Sequence, residues 1–206
     1  MSGNRKRKET LIKILLEIPA VIIAVLLALG LNSWKQDRDD KAMAQKSLQN
    51  IIFEIQNNLS AVKESIEDND QARPYLDSTM ARIDSGAQDI DFDISYDHSI
   101  LSSAAWESAN LTGAINHLDT KLVIDIADLY RIQDIYMNMG ENFFLKMSSV
   151  EFNSDDNIRA VVKSNQNLIG LSENICRALI GGYEEFLKTQ NAPLEAVNQE
   201  ADSLSQ

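Results

Sequence analysis

The sequence predicts an all-α protein: one N-terminal transmembrane helix followed by an amphipathic helical bundle, with the option of a short coiled-coil segment after the membrane. Three observations carry this expectation. An uninterrupted apolar run lies near the N-terminus. Apolar residues recur at helical spacing through most of the remaining chain. Only 3 prolines and 8 glycines punctuate 206 residues, too few for a protein built from many short strands and turns.

The apolar run is Ile14–Leu31, whose single charge is Glu17. As a helix it spans about 27 Å, close to the hydrocarbon thickness of a bilayer. Glu17 and Pro19 fall in its first turn or so, where a carboxylate reaches headgroups and a proline removes few hydrogen bonds. Trp34 follows at the level of an interfacial aromatic belt. Ahead of the run, Arg5, Lys6, Arg7, Lys8 and Lys13 face only Glu9. The chain therefore divides into a basic cytoplasmic tail (1–13), a transmembrane signal anchor (14–34), an acidic helical domain (35–190) and a polar, loosely ordered tail (191–206). A cleaved signal peptide and a buried core helix are the competing readings of the run. The first fits the basic start and the small residues around Ala28, but its apolar stretch is long for a signal peptide. The second leaves the basic tail and Trp34 without a reason.

The basic residues on the N-terminal side are denser than Lys35, Arg38, Lys41 and Lys46 beyond the run. A long C-terminal domain translocates largely regardless of charge. The expected location is the cytoplasmic membrane, single-pass, with the N-terminus in the cytoplasm and the body periplasmic or extracellular.

The first body helix carries Leu48, Ile52, Ile55, Leu59, Val62 and Ile66 at alternating spacings of four and three, about three heptads of seam. This is the candidate interaction face, with packing inside its own domain as the alternative. The helix should end before Arg73-Pro74, because proline disfavours helix in the preceding residue. A short helix then restarts at Pro74 and stops at Ser85-Gly86. Asp89–Ile94 alternates polar and apolar residues, but its only strand partner would be Ser149–Phe152, so it reads as an extended linker. Asp89, Asp91 and Asp93 read as a solvated edge, since the glycine and closing Glu of a calcium loop are missing.

Ser99–His117 is expected to form a helix around Trp106, capped near Gly113. Asp119 is expected to cap the longest body helix, whose stripe is Leu122, Ile126, Leu129, Ile132, Tyr136, Met139 and Phe143. The last helix follows Asn153–Asp156 and carries Ile158 through Phe186. Gly181-Gly182 on its pattern either ends it or permits a tight crossing. Cys176 reads as a small hydrophobe, with an intermolecular disulfide as the sharper alternative.

Little chemistry is encoded. The net charge of -12 argues against nucleic-acid binding. One cysteine and two histidines exclude a disulfide framework and a multi-cysteine zinc site. There is no phosphate loop, nucleophile elbow or HExxH spacing. His98 and His117 read as helix-end or surface residues, and Glu184-Glu185 as a solvated face. No catalytic residue, metal site or cofactor is expected.

Glu17-Ile18, Val21–Leu29 and Asn32-Ser33-Trp34 together resemble an uncharacterised bacterial family of single-span membrane proteins. Its N-terminal helix ends in an LAL-x-x-N-x-W signature and precedes a helical soluble domain. Ala105–Ala109 with Gly113, then Leu118–Tyr130, is similar to a second stretch of that family. The resemblance covers about a third of the chain and implies a single span, a helical domain and no established activity.

The expected function is therefore a non-enzymatic, membrane-anchored interaction or scaffold module. Arg5, Lys6, Arg7, Lys8 and Trp34 sit at the membrane interface, and the partners are the lipid bilayer and either an unknown protein or a second copy. The alternative is an extracytoplasmic small-molecule-binding or sensor domain with a pocket at Trp106, Tyr130 and Tyr136, acting through a partner protein.

Overall fold

The computed structural model describes residues 3–87, 90, 92, 96–148 and 155–193, with the side chains of residues 3–18, 20, 148, 155 and 156 excluded. Four α-helices account for most of this: α1 (Gly3–Asp84), α2 (Ala104–Leu111), α3 (Thr120–Ser148) and α4 (Asp155–Thr189), with a 3-10 turn at Ala114–His117 between α2 and α3. The all-α expectation holds.

The first body helix does not stop at Arg73. α1 continues through Pro74 to Asp84, which corrects the expected break. Proline forfeits one backbone bond, to the carbonyl of Asp70. Contacts within and outside the helix surround that turn. Arg73 bonds the Asp70 carboxylate at 2.9 Å and Glu173 on α4 at 2.6 Å. Just beyond, Leu76, Thr79 and Ile83 are buried. Packing outweighs the local preference.

The direction of each leg follows from cross-chain pairs. Lys63–Glu184, Arg73–Glu173 and Asp84–Arg159 make α4 antiparallel to α1. Exposed pairs of this kind contribute about 0–1 kcal/mol each, so their information is register rather than stability. Glu54–Tyr130, Asn58–Gln133 and Ser65–Tyr136 make α3 parallel to α1. The chain between α1 and α3 must then descend the whole bundle. The result is an up-down-up-down arrangement whose second leg is mostly not helical.

That leg corrects a second expectation. Residues 96–103 are not helical, and the helix around Trp106 begins only at Ala104. In this strap Tyr96 and Leu101 turn inward while Ile100 is 86% exposed. Upstream, Ile90 and Phe92 lie outside any helix and join the upper core. Ser149–Phe152, set aside as a strand partner, and Asp89, Asp91 and Asp93 lie outside the described residues.

Several local expectations hold. Asp119 Oδ1 accepts from the backbone N–H groups of Lys121 and Leu122, capping α3. Gly113 follows α2 with φ of 74°, a left-handed position that costs glycine nothing. α4 runs through Gly181-Gly182 without ending. A Cβ on Gly182 would lie 2.7 Å from a Leu129 methyl, so this glycine permits the close α3–α4 crossing. α4 ends at Thr189; beyond it Asn191 has φ of 52° and the Ala192 N–H reaches back to the Leu187 carbonyl, a left-handed helix stop. The tail expectation needs correcting at its start: Ala192 packs on the core and Pro193 accepts a bond from Gln56.

The buried apolar residues form two clusters. The lower one holds Ile51, Ile55, Leu59, Val62, Ile126, Leu179 and Tyr183. The upper one holds Leu76, Ile83, Phe143, Val161, Val162 and Ile169. Ser65 and Asn69 on α1, Ser172 on α4 and His98 on the strap occupy the level between them.

Candidate functional site

Two features stand out: a polar clamp inside the bundle and a bare apolar stretch outside it.

The clamp exists because a non-helical segment packed along a helical bundle has no ladder to satisfy its backbone; only Tyr96 and Leu101 of this segment are buried. Side chains of α1 take that role. Asn69 donates to the Asp97 carbonyl at 2.9 Å and accepts from the Asp97 N–H at 2.9 Å. Asn58 does the same at Ser102, donating at 2.8 Å and accepting at 3.0 Å. Each carboxamide thus holds both polar groups of one peptide residue, as a neighbouring strand would. The spacing fits: eleven helical residues rise about 16.5 Å, and five extended residues cover about the same distance. Between the clamps, Ser99 donates to the Ala61 carbonyl at 3.0 Å.

Further charge and polarity converge at the lower end. Glu54 is buried and accepts from Tyr130 Oη at 2.6 Å, Ser102 Oγ at 2.5 Å and the Ala105 N–H at 2.9 Å. Gln133 accepts from Tyr183 Oη at 2.7 Å and Asn58 at 3.1 Å, and donates to the Ser102 carbonyl at 2.9 Å. Burial raises the phenol pKa of Tyr130, and the bond to Glu54 raises it further. Burial also raises Tyr183 and pushes Tyr136 up to about 12. These phenols stay protonated, and Tyr130 and Tyr183 serve as hydrogen-bond donors. The network is closed on itself, a device for fixing the strap.

The candidate pocket is corrected by this packing. Trp106 stacks on Tyr130 with ring centroids 5.6 Å apart and planes 9° apart. Tyr136 is fully buried and stacks on His98 at 4.2 Å. The three rings fill the space they were expected to line. The candidate interaction face is corrected in the same way. Ile55, Leu59 and Val62 are buried in the chain's own core, and Leu48, Ile52 and Ile66 pack against it. A three-heptad seam serves a neighbouring helix of the same chain as readily as a second chain.

His98 is half-buried on the strap rather than at a helix end. It is wedged between Tyr136 and Gly140, where a Cβ on the glycine would meet Nε2 at 2.1 Å. His117 does end the 3-10 turn, 3.8 Å from Asp40. Cys176 is buried, and burial pushes its thiol up to about 11. It behaves as a small hydrophobe and is closed to an intermolecular disulfide. Glu184 is paired with Lys63 at 2.7 Å, and with Glu185 it lines an open surface cleft near the end of α4. Among the described residues no group of three His, Cys, Asp or Glu side chains is placed to hold a metal ion.

The bare stretch is the N-terminal part of α1. The large apolar residues from Val21 to Leu31 are 52–66% exposed, and Trp34 is 63% exposed. The first α1 residue to enter the bundle core is Ala44. Arg5, Lys6, Arg7 and Lys8 lie on the same helix, and their side chains are outside the described residues. Among the described residues no helix is long and apolar enough to cross a membrane. Of the span expected at Ile14–Leu31, the side chains of residues 14–18 and 20 fall outside that set.

No family model, curated protein or solved structure matches the chain. Sequence reasoning missed the clamp entirely. Its signal was a pair of asparagines eleven residues apart on the apolar face of α1.

Proposed function

We propose that this chain is a membrane-anchored, non-enzymatic helical scaffold or interaction module, tethered by residues 14–34 and displaying the 40–193 bundle on the far side of the cytoplasmic membrane. The observation that carries the reading is the exposed run Val21–Leu31 on a helix that continues into the bundle. Eleven successive residues without a charge lie bare in water unless another phase covers them. A bilayer provides such a phase, and the basic Arg5–Lys8 cluster and Trp34 flank the run as cytoplasmic and interfacial anchors do. α1 has 82 residues, about 120 Å of helix. An uninterrupted helix of this kind holds the bundle at a fixed height. The resemblance to the uncharacterised single-span family belongs to the same proposal and adds no activity.

The test is a C-terminal epitope tag, followed by alkaline washing of membranes and protease treatment of spheroplasts. Full-length tagged protein that resists the wash and is degraded from outside is the expected result. Release by the wash overturns the anchor. Protection until lysis overturns the orientation and places the bundle in the cytoplasm.

A further inference from the structure

We propose that His98 is an acid-sensitive latch on the strap 96–103, holding it between α1 and α3 only while the imidazole is neutral.

His98 occupies the level at which the two apolar clusters meet, stacked on Tyr136 of α3 and edge-on to Phe144. Nδ1 lies 3.1 Å from Tyr96 Oη. Nε2 is fully buried and has no hydrogen-bond partner among the described residues. It abuts Gly140 so closely that the glycine's missing side chain is what admits the ring. A neutral imidazole tolerates this, because Nδ1 can carry the proton and leave Nε2 a bare lone pair. A protonated ring carries N–H groups at both positions. The Nε2 donor would then face helix backbone whose carbonyls are already engaged, at the cost of an unsatisfied buried charge.

The surroundings offer the cation little relief. On the strap itself the facing groups are the Tyr96 hydroxyl and the Asp97 carboxylate. α1 presents Ser65 and Asn69, both engaged with Asp97. α3 presents Tyr136, Gly140 and Phe144. α4 presents Ser172 and Cys176 behind Tyr96 and Tyr136. Asp97 favours the charged ring, but burial outweighs it and holds the imidazole below its ordinary value. The sign follows. A histidine depressed in the folded state contributes stability that is present above its unfolded value, near 6.5, and is lost as pH falls below it.

Both amide clamps hold strap backbone within four residues of His98. Moving the ring out of its slot pulls Asp97 from Asn69 first and Ser102 from Asn58 next. Release uncovers two carboxamides on α1 already spaced to recognise extended backbone. α1 and α4 keep their own contacts, so the rest of the bundle survives the opening.

Amide hydrogen exchange of the full chain in detergent micelles, corrected for the intrinsic rate, tests this. Between about pH 7.5 and about pH 5, protection of the Asp97 and Ser102 amides should fall roughly tenfold or more, while Leu179 and Tyr183 on α4 keep theirs. Flat strap protection across that range overturns the latch. So does simultaneous loss in strap and α4, which would be global unfolding. His98→Asn retains a partner for Tyr96 and removes the titration, so its strap should show no pH dependence; persistence of the acid effect assigns it elsewhere. Independently of that variant's folding, a His98 ring resonance titrating at or above the ordinary imidazole value overturns the proposal.

Discussion

One helix, α1, is two different objects along its length. From Val21 to Leu31 its apolar side chains are bare all round. From Ala44 to Ile83 one face is buried under the rest of the chain, and that face carries Glu54, Asn58, Ser65, Asn69 and Thr79 among its apolar residues. The outer stretch is more hydrophobic, yet it is the part the protein leaves uncovered. Apolarity all round a helix suits a uniform apolar phase, whereas a face that mixes apolar and amide groups suits a particular protein neighbour. The difference tells which surface is meant for solvent exchange and which for recognition within the chain.

The largest effect that separates the two regions is a buried charge. Ile55→Asp should cost at least about 4 kcal/mol and abolish cooperative unfolding followed by circular dichroism, because nothing at that depth pairs the carboxylate. Leu26→Asp, on the bare stretch, should leave the bundle's melting temperature in micelles unchanged. Equal damage from both would erase the distinction.

An intermediate effect concerns the clamp. Asn58→Leu keeps the side chain's bulk but strips the Ser102 N–H of its partner, so it should destabilise by about 2 kcal/mol in urea titration. The neighbouring Ser102 carbonyl retains Gln133, which keeps the loss from being larger. A neutral result would mean the strap is held by Leu101 and Tyr96 rather than by amides.

The smallest effect has opposite signs at two glycines. Gly170 on α4 has open space where a Cβ would go, so Gly170→Ala should stabilise by about 0.5–1 kcal/mol through helix propensity. Gly140→Ala drives a methyl into the His98 ring and should destabilise by about 1–3 kcal/mol. Thermal melts of the two variants side by side decide whether Gly140 is there for His98.

Much of the architecture was readable in advance. Period-3.6 apolar patterns located α3 and α4, Asp119 marked a start and Gly113 a stop, because these signals depend on groups within one or two turns. The errors share one cause. Pro74 reads locally as a terminator, and Ser99–Leu101 reads as the beginning of a helix. Each is overruled by partners far away in sequence: Val161, Val162 and Ile169, clustered with Leu76 and Ile83, for the first, and Asn58 and Asn69 for the second.

The sequence by itself determined the helical class, the apolar run with its basic and aromatic flanks, the caps and the acidic body. All of these are set by residue type and short-range spacing. Only the tertiary structure decided that the Leu48–Ile66 seam faces inward, that Trp106 stacks on Tyr130 and Tyr136 on His98, and that His98 lies against Gly140. It also decided that part of one leg of a four-legged bundle is non-helical backbone gripped by two asparagines. Those outcomes depend on which surfaces meet across tens of residues, and spacing along one chain segment does not carry that information.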